Sequence, residues 1–265
     1  DEAEDLEAQG LTIPWKYNRD IAQALQAVVR GGRLHPVVIT NFGCGPDAFA
    51  HKFLERTANG RSLLTLEFDE HRGEAGLVTR LEAFIDEVSH GHRRGTVPLP
   101  RQAATLARSI EGYAGRRVVL PHYADHAHAF LGALRFAGAE AILLPPPDEE
   151  TLAYGEEVSS GKECHPYVVI AGDLMKHLDR GVIRDGDVFC FPGTAEACLL
   201  HQYGSAMGLA LQRKGVTGVE VLSPGSAALL DLLGIGGLSV MGRGMVVCDQ
   251  LIKLKRQLRP YVTDP

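Results

Sequence analysis

Two kinds of apolar pattern alternate along the chain. Short, mainly apolar runs, Pro36–Ile39, Ser62–Phe68, Arg117–Leu120, Ala139–Leu144, Asp187–Phe191 and Gly218–Leu222, predict strands, of which Pro36–Ile39 and Asp187–Phe191 read as buried. Between them lie stretches whose apolar residues recur every three or four positions. Asn18–Arg30 is one, with Ile21, Leu25, Val28 and Val29 on one side and a natural stop at Gly31-Gly32. Further helices are expected over Ala48–Leu54, about Ala75–Val88, near Arg101–Tyr113, over Tyr123–Phe136, from Pro166 to about Leu178, and after Cys198 to about Arg213. Asp148 is placed to cap a short helix after the Pro145-Pro146-Pro147 turn. A hydrophobic segment, Ala227–Leu233, and a helix from about Arg243 to Leu258 close the chain.

Helices alternating with short apolar strands predict an α/β protein whose sheets are parallel and covered by helices on both faces. The expected arrangement is two doubly wound, Rossmann-like lobes. The segment Ser89–Pro100, rich in Gly, His, Arg and Pro, reads as the link between them. Residues 1–17 then form a linker or tail, 18–94 the first lobe, and 95–265 the second lobe with its C-terminal helix. The first residue is Asp1 and the opening segment Asp1–Glu7 is acidic, so the chain is expected to be a piece of something longer, or part of an oligomer.

Composition narrows the function classes. The 265 residues are 45% hydrophobic and 23% charged, ordinary for a globular protein, with a formal net charge of −6. That charge, without a Lys/Arg cluster, argues against nucleic acid. No apolar run reaches membrane-spanning length, and no signal peptide is visible, so a cytoplasmic protein is expected. Neither Gly-x-x-x-x-Gly-Lys-Ser/Thr nor Gly-x-Gly-x-x-Gly occurs, which excludes nucleotide sites of those types.

The candidate chemistry sits in the cysteines. Five are widely spaced with no Cys-x-x-Cys pair, so a disulfide framework, a zinc ribbon and a ferredoxin loop are all disfavoured. Cys44 lies in Thr40-Asn41-Phe42-Gly43-Cys44-Gly45-Pro46-Asp47, between a strand end and a helix for which Pro46 suits the first position. Its flanking glycines let the backbone approach something bulky, and a helix start favours a thiolate. Cys164 precedes a helix with Pro166 at its start, and Cys198 follows a strand and precedes a helix. Sites in open α/β sheets form beyond the carboxyl ends of strands, where these three can converge although 120 and 34 residues separate them. Cys190, inside Val188-Phe189-Cys190-Phe191, and Cys248, in an apolar helical run, read instead as packed thiols.

Other residues are open to two readings. His165 or His201 completes a tetrahedral zinc site with three thiolates, or is a surface histidine. His122 and His126 have the spacing of a metal pair, with His128 nearby, but His122 falls before the helix. Asp69-Glu70-His71 has acid/base composition at a strand end, or is a solvated turn. Lys162 and Glu163 beside Cys164 tune a cluster or bind an anion, or are a charged loop. Glu70, His71 and Lys162 are the catalytic candidates.

Several stretches together resemble a known family. The Thr40–Phe49 segment, Leu66-Glu67-Phe68-Asp69-Glu70-His71 and Ala75–Phe84 are similar to the cysteine-containing part of acyl-CoA dehydratase activase-like proteins. These belong with the 2-hydroxyacyl-CoA dehydratases, benzoyl-CoA reductases and double-cubane cluster proteins. Asp125-His126-Ala127, Ser160–Pro166, His201-Gln202-Tyr203-Gly204 and Leu258-Arg259-Pro260-Tyr261 are similar to later motifs, so the resemblance runs from about Trp15 to Tyr261. It implies that Cys44, Cys164 and Cys198 hold an iron–sulfur cluster, either a [4Fe–4S] cubane or a double-cubane [8Fe–9S] cluster. It further implies electrons delivered by an ATP-hydrolysing, actin-like activase domain or subunit with its own [4Fe–4S] cluster, and a second cluster-binding domain or subunit. Around Cys198 the chain departs from the family's Gly-Pro-Cys-Arg, reading Glu196-Ala197-Cys198-Leu199, so the role of that arginine does not carry over.

Two functions follow as expectations. One is a component of a low-potential, ATP-dependent reductase or (R)-2-hydroxyacyl-CoA dehydratase-like system. The other is a non-catalytic assembly domain with structural zinc or no metal.

Overall fold

The computed structural model describes residues 13–41, 45–58, 60–68, 73–90, 110–113, 115–194 and 197–262. The chain is α/β with parallel sheets, as the apolar pattern predicts. It divides into two compact units, one within Asp1–Ala104, Ser159–Cys164 and Glu196–Gln212, the other within Thr105–Val158, His165–Ala195 and Arg213–Pro265.

The first unit opens with α1 (Lys16–Gly31), whose buried face is Asn18, Ala22, Leu25 and Gln26. Gly32 ends it at φ 70°, a left-handed position that favours glycine, and donates its N–H to Val28 O. Arg61 completes the cap: its guanidinium donates to the carbonyls of Val28, Val29, Gly32 and Leu34 at 3.0–3.1 Å. One cation thus satisfies four carbonyls at the negative end of the helix. Strand β1 (Val37–Asn41) pairs in parallel with β2 (Leu64–Phe68), Val37 opposite Leu64 and Asn41 opposite Phe68. Parallel pairing requires a crossover, supplied by α2 (Pro46–Ala58) with Phe49, Phe53 and Leu54 in the core. Pro46 is the first helical residue, as predicted. Helix α3 (Glu74–Ser89) follows β2.

In the second unit a short 3-10 turn (Ile110–Tyr113) leads to β3 (Arg117–Leu120), α4 (Ala127–Phe136), β4 (Glu140–Leu143), α5 (Glu149–Val158), α6 (His165–Asp179), β5 (Val188–Cys190) and β6 (Glu220–Leu222). The four strands are parallel in the order β4-β3-β5-β6. Their core joins Val118, Leu120, Phe130, Leu134, Val188, Cys190 and Leu222 to Leu232 and Leu233. Arg117 pairs with Asp187 at 2.5 Å and Arg116 with Glu220, tying the amino ends of β3, β5 and β6. Asp148 caps α5 as expected, accepting from Thr151 N at 2.9 Å.

Three boundaries differ from the sequence reading. Residues 121–126 are turn, so α4 begins at Ala127 rather than Tyr123. After Cys198 the chain makes a 3-10 turn, Leu199–Gln202, before α7 (Tyr203–Arg213), which lies almost wholly in the first unit. The two closing segments are one helix, α8 (Ser226–Leu258), broken only at Gly234, whose φ of 63° and ψ of 176° are non-helical. Glycine tolerates that conformation, so the helix bends and continues. Gly244 lets α8 approach α4, since a Cβ there would stand 2.8 Å from Ala129 Cβ. Joined in this way, Ser226–Tyr261 is long and apolar enough to cross a membrane by length and composition, which neither segment is by itself. Residues 101–109 of the expected Arg101–Tyr113 helix lie outside the described residues.

Candidate metal centre

Two of the three candidate cysteines, Cys164 and Cys198, belong to the first unit although their segments come from the second half of the chain. Cys44 lies outside the described residues, as do Glu70 and His71. The ends of the Cys44 loop are described. Asp47, in the first turn of α2, accepts from Thr40 Oγ1 at 2.5 Å and from Asn18 Nδ2 at 2.8 Å. This closes the strand-to-helix connection across its base. Gly45, at φ 62°, makes the tight entry, and its carbonyl accepts from Ala48 N. A carboxylate at a helix N-terminus is also favoured by the helix dipole.

Two residues on from Asp47, Phe49 is fully buried and stacks on Tyr203, with ring centroids 5.7 Å apart and planes 22° from parallel. The Tyr203 hydroxyl lies 2.6 Å from Cys164 Sγ. Tyr203 itself begins α7, five residues beyond Cys198. Cys198 is exposed, and Ala197 O before it accepts from Trp15 Nε1 at 3.2 Å. One aromatic pair therefore connects the helix after the Cys44 loop to the Cys164 segment and to the helix after Cys198.

The turn carrying Cys164 is fixed by Glu163. Its Oε2 accepts from Ser160 N at 2.8 Å and Ser160 Oγ at 2.9 Å, and Gly161 takes φ 80° between them. Its Oε1 stands 2.5 Å from Lys52 Nζ on α2, both side chains nearly inaccessible to solvent. Burial alone would raise the Glu163 pKa, but the Lys52 ammonium and the Ser160 N–H outweigh it and hold the carboxylate below its usual range. Lys162, the catalytic candidate, forms an ion pair with Glu67 of β2. Both line a cavity of about 120 Å³ whose wall includes Thr40, Asp47, His51 and Thr65 together with Ile21 and Leu54. His51 Nε2 lies 2.9 Å from Thr65 Oγ1.

The remaining candidates other than His201 fall in the second unit. Cys190 is fully buried in β5, and burial pushes its thiol pKa up, as an inert core thiol requires. Cys248 is less buried than the sequence predicts, with Sγ 3.8 Å from Asp125 O. His126 Nε2 lies 2.8 Å from Asp249 Oδ1, while His122 and His128 meet edge to face at 5.7 Å. His126 is thus engaged with α8 rather than paired with His122. His165 is exposed at the start of α6, and His201 is partly buried in the 3-10 turn of the first unit.

Among the described residues, no group of three or more His, Cys, Asp or Glu side chains is arranged to hold a metal ion. Two members of the predicted thiolate set are described, and they suit a soft metal group: both sulfurs lie in loop segments, and Cys164 has a phenol O–H in position to hydrogen-bond a thiolate. Sequence reasoning gave no role to Phe49, Lys52 or Tyr203, although Phe49 closes the Thr40–Phe49 segment that carries the resemblance. Tyr203 lies in a stretch already marked by resemblance, but its contact with Cys164 spans 39 residues. No known family model, curated protein or solved structure matches this chain.

Proposed function

We propose that this chain is an iron–sulfur protein in which Cys44, Cys164 and Cys198 hold a [4Fe–4S] or double-cubane cluster. The observation that carries this reading is the Phe49–Tyr203–Cys164 contact, which draws the Cys164 and Cys198 segments and the helix after Cys44 into one unit. Such a cluster supplies one-electron chemistry at low potential. The chain's own part is to present thiolates, to donate the Tyr203 hydrogen bond, and to hold the Cys164 turn through Lys52 and Glu163. Each unit is taken as a doubly wound lobe, with the cluster beyond its strand ends.

In this reading the protein belongs to an ATP-dependent reductase or 2-hydroxyacyl-CoA dehydratase-like system in a reducing, cytoplasmic compartment. Its partners are an activase domain or subunit with its own [4Fe–4S] cluster and a second cluster-binding domain or subunit. Lys162, on the cavity wall with Glu67, is the proposed group for handling a substrate proton or anion, and Glu70 and His71 are further candidates.

The test is anaerobic purification followed by metal analysis and an optical spectrum. Iron, acid-labile sulfide and broad absorption near ~400 nm are expected. Cys164→Ala should lose iron, whereas Cys248→Ala should retain it. Colourless protein carrying zinc, or equal iron in both variants, would sink the proposal and favour a structural assembly domain.

A further inference from the structure

The cavity of about 120 Å³ in the first unit is bounded by α1, β1, α2, β2 and the Ser160–Lys162 turn. Ile21, Val38, Ala50 and Leu54 make much of its wall aliphatic. Most polar groups around it are satisfied by one another. Asp47 accepts from Thr40 and Asn18, His51 meets Thr65, and Lys52 is held by Glu163. Lys162 and Glu67 differ. Their ion pair joins the turn to β2, and their side chains are 37% and 34% exposed. Each can therefore exchange the other for a ligand without stranding a buried charge.

We propose that this cavity binds a short aliphatic α-amino acid as its zwitterion. The carboxylate meets Lys162, the ammonium meets Glu67, and the side chain lies against Ile21, Val38 and Leu54. Three observations select that class. The first is charge. The wall carries two carboxylates, Asp47 and Glu67, and two ammonium groups, Lys52 and Lys162, but Glu163 already neutralises Lys52. One negative charge is thus in excess, and a ligand with only a carboxylate would add to it. A ligand with only an ammonium would take Glu67 and leave Lys162 unmatched. A zwitterion meets both with charge-assisted hydrogen bonds. The second is size. A dry cavity of about 150 Å³ accepts benzene, with about six heavy atoms. This one is slightly smaller, but its charged end is partly open to solvent, so roughly six to eight heavy atoms fit, the span from alanine to valine. The third is lining. An aliphatic wall with a few convergent polar groups is the make-up of a small-molecule site. The inference rests on the anion-binding role proposed above for Lys162, but it needs no metal.

The test is isothermal titration calorimetry of the chain with L-alanine and L-valine, and with isovalerate and isobutylamine, which carry a similar apolar body and one charge each. Valine should bind with a Kd at or below about 1 mM, within reach of a ligand this small. Isovalerate and isobutylamine should each bind at least ~10-fold more weakly, since each leaves one charge unmatched. Lys162→Met and Glu67→Gln, at partly exposed positions, should keep the circular dichroism spectrum and weaken valine at least ~10-fold. Lys162→Met should bind isobutylamine at least as well as wild type does, which separates a lost carboxylate contact from a damaged cavity. No heat from either amino acid at about 10 mM overturns the proposal. So does isovalerate or isobutylamine binding as tightly as valine, or unchanged valine affinity in both variants. The ligand series on wild type decides the matter even where a variant fails to fold. Iron content of the same preparations is read separately. Valine binding by iron-free protein would sink the cluster alone, and iron-bearing protein that binds no amino acid would sink this inference alone.

Discussion

The hydroxyl of Tyr203 lies 2.6 Å from the sulfur of Cys164, while its ring stacks on Phe49. The two halves of that side chain do different work. The ring packs the first unit, and the oxygen sets the polarity around one sulfur. Tyr203→Phe separates them, because phenylalanine keeps the stack and removes only the hydroxyl. On the iron–sulfur reading, the variant should retain iron but shift the reduction potential by about 50 mV to more negative values. That is the scale of one hydrogen bond in a one-electron couple. Redox titration followed by electron paramagnetic resonance measures it. An unchanged potential with full iron content removes Tyr203 from any tuning role.

Lys52 and Glu163 form a buried ion pair that joins α2 to the Cys164 turn. Removing one partner strands the other charge, so Lys52→Met should cost about 3–5 kcal/mol in urea unfolding. The double variant with Glu163→Gln should recover part of that loss. Because the Glu163 pKa is lowered in the folded protein, its stabilising contribution is present above the unfolded carboxylate range and fades as pH falls through the folded value. Equal stability of Lys52→Met and wild type at pH 7 would contradict this.

Asp173, on α6, has the opposite sign. It is 1% exposed, its Oδ1 receives a 3.4 Å contact from Thr151 Oγ1, and its Oδ2 has no hydrogen-bond partner among the described residues. Burial outweighs the neighbouring Lys176 and pushes its pKa up to about 7. A raised carboxyl pKa destabilises the fold progressively as pH rises from about 4 to about 7, after which the penalty is constant. Asp173→Asn should therefore raise the melting temperature more at pH 8 than at pH 5. The gain at pH 8 is on the order of 2 kcal/mol, allowing for relaxation around the charge. Equal shifts at both pH values would show that the carboxyl is not the cause.

Helices α5 and α6 meet through glycine. A Cβ on Gly172 would stand 1.9 Å from Thr151 O, and one on Gly155 would stand 2.0 Å from Val168 O. Backbone cannot yield as a flexible side chain does, so Gly172→Ala should destabilise by about 3 kcal/mol or more. Gly132, within α4, has no neighbouring atom within 4 Å of such a Cβ. Gly132→Ala should stabilise by up to about 1 kcal/mol through helix propensity. Thermal denaturation of the two variants side by side checks both signs.

The sequence by itself determined the local elements. The apolar runs located β1 to β6, but burial followed only in the second unit: β3 and β5 are buried, whereas β1, read from Pro36–Ile39 as a buried strand, leaves Val37 and Ile39 exposed because, among the described residues, it pairs on one side only, with β2. Pro46, Gly32 and Asp148 mark helix ends because each satisfies a backbone requirement of its own few neighbours. The sequence also marked Cys44, Cys164 and Cys198, from glycine and proline close by. Only the tertiary structure decided which distant residues meet. That Arg61 caps α1, that Tyr203 reaches Cys164, and that Lys52 pairs with Glu163 depends on contacts across 27 to 111 residues, which no local pattern encodes. The continuity of α8 was hidden for a related reason. Gly234 reads as a break in a one-dimensional pattern, yet the helix resumes because Leu232, Leu233 and Gly237 on both sides of the bend are buried against the same unit.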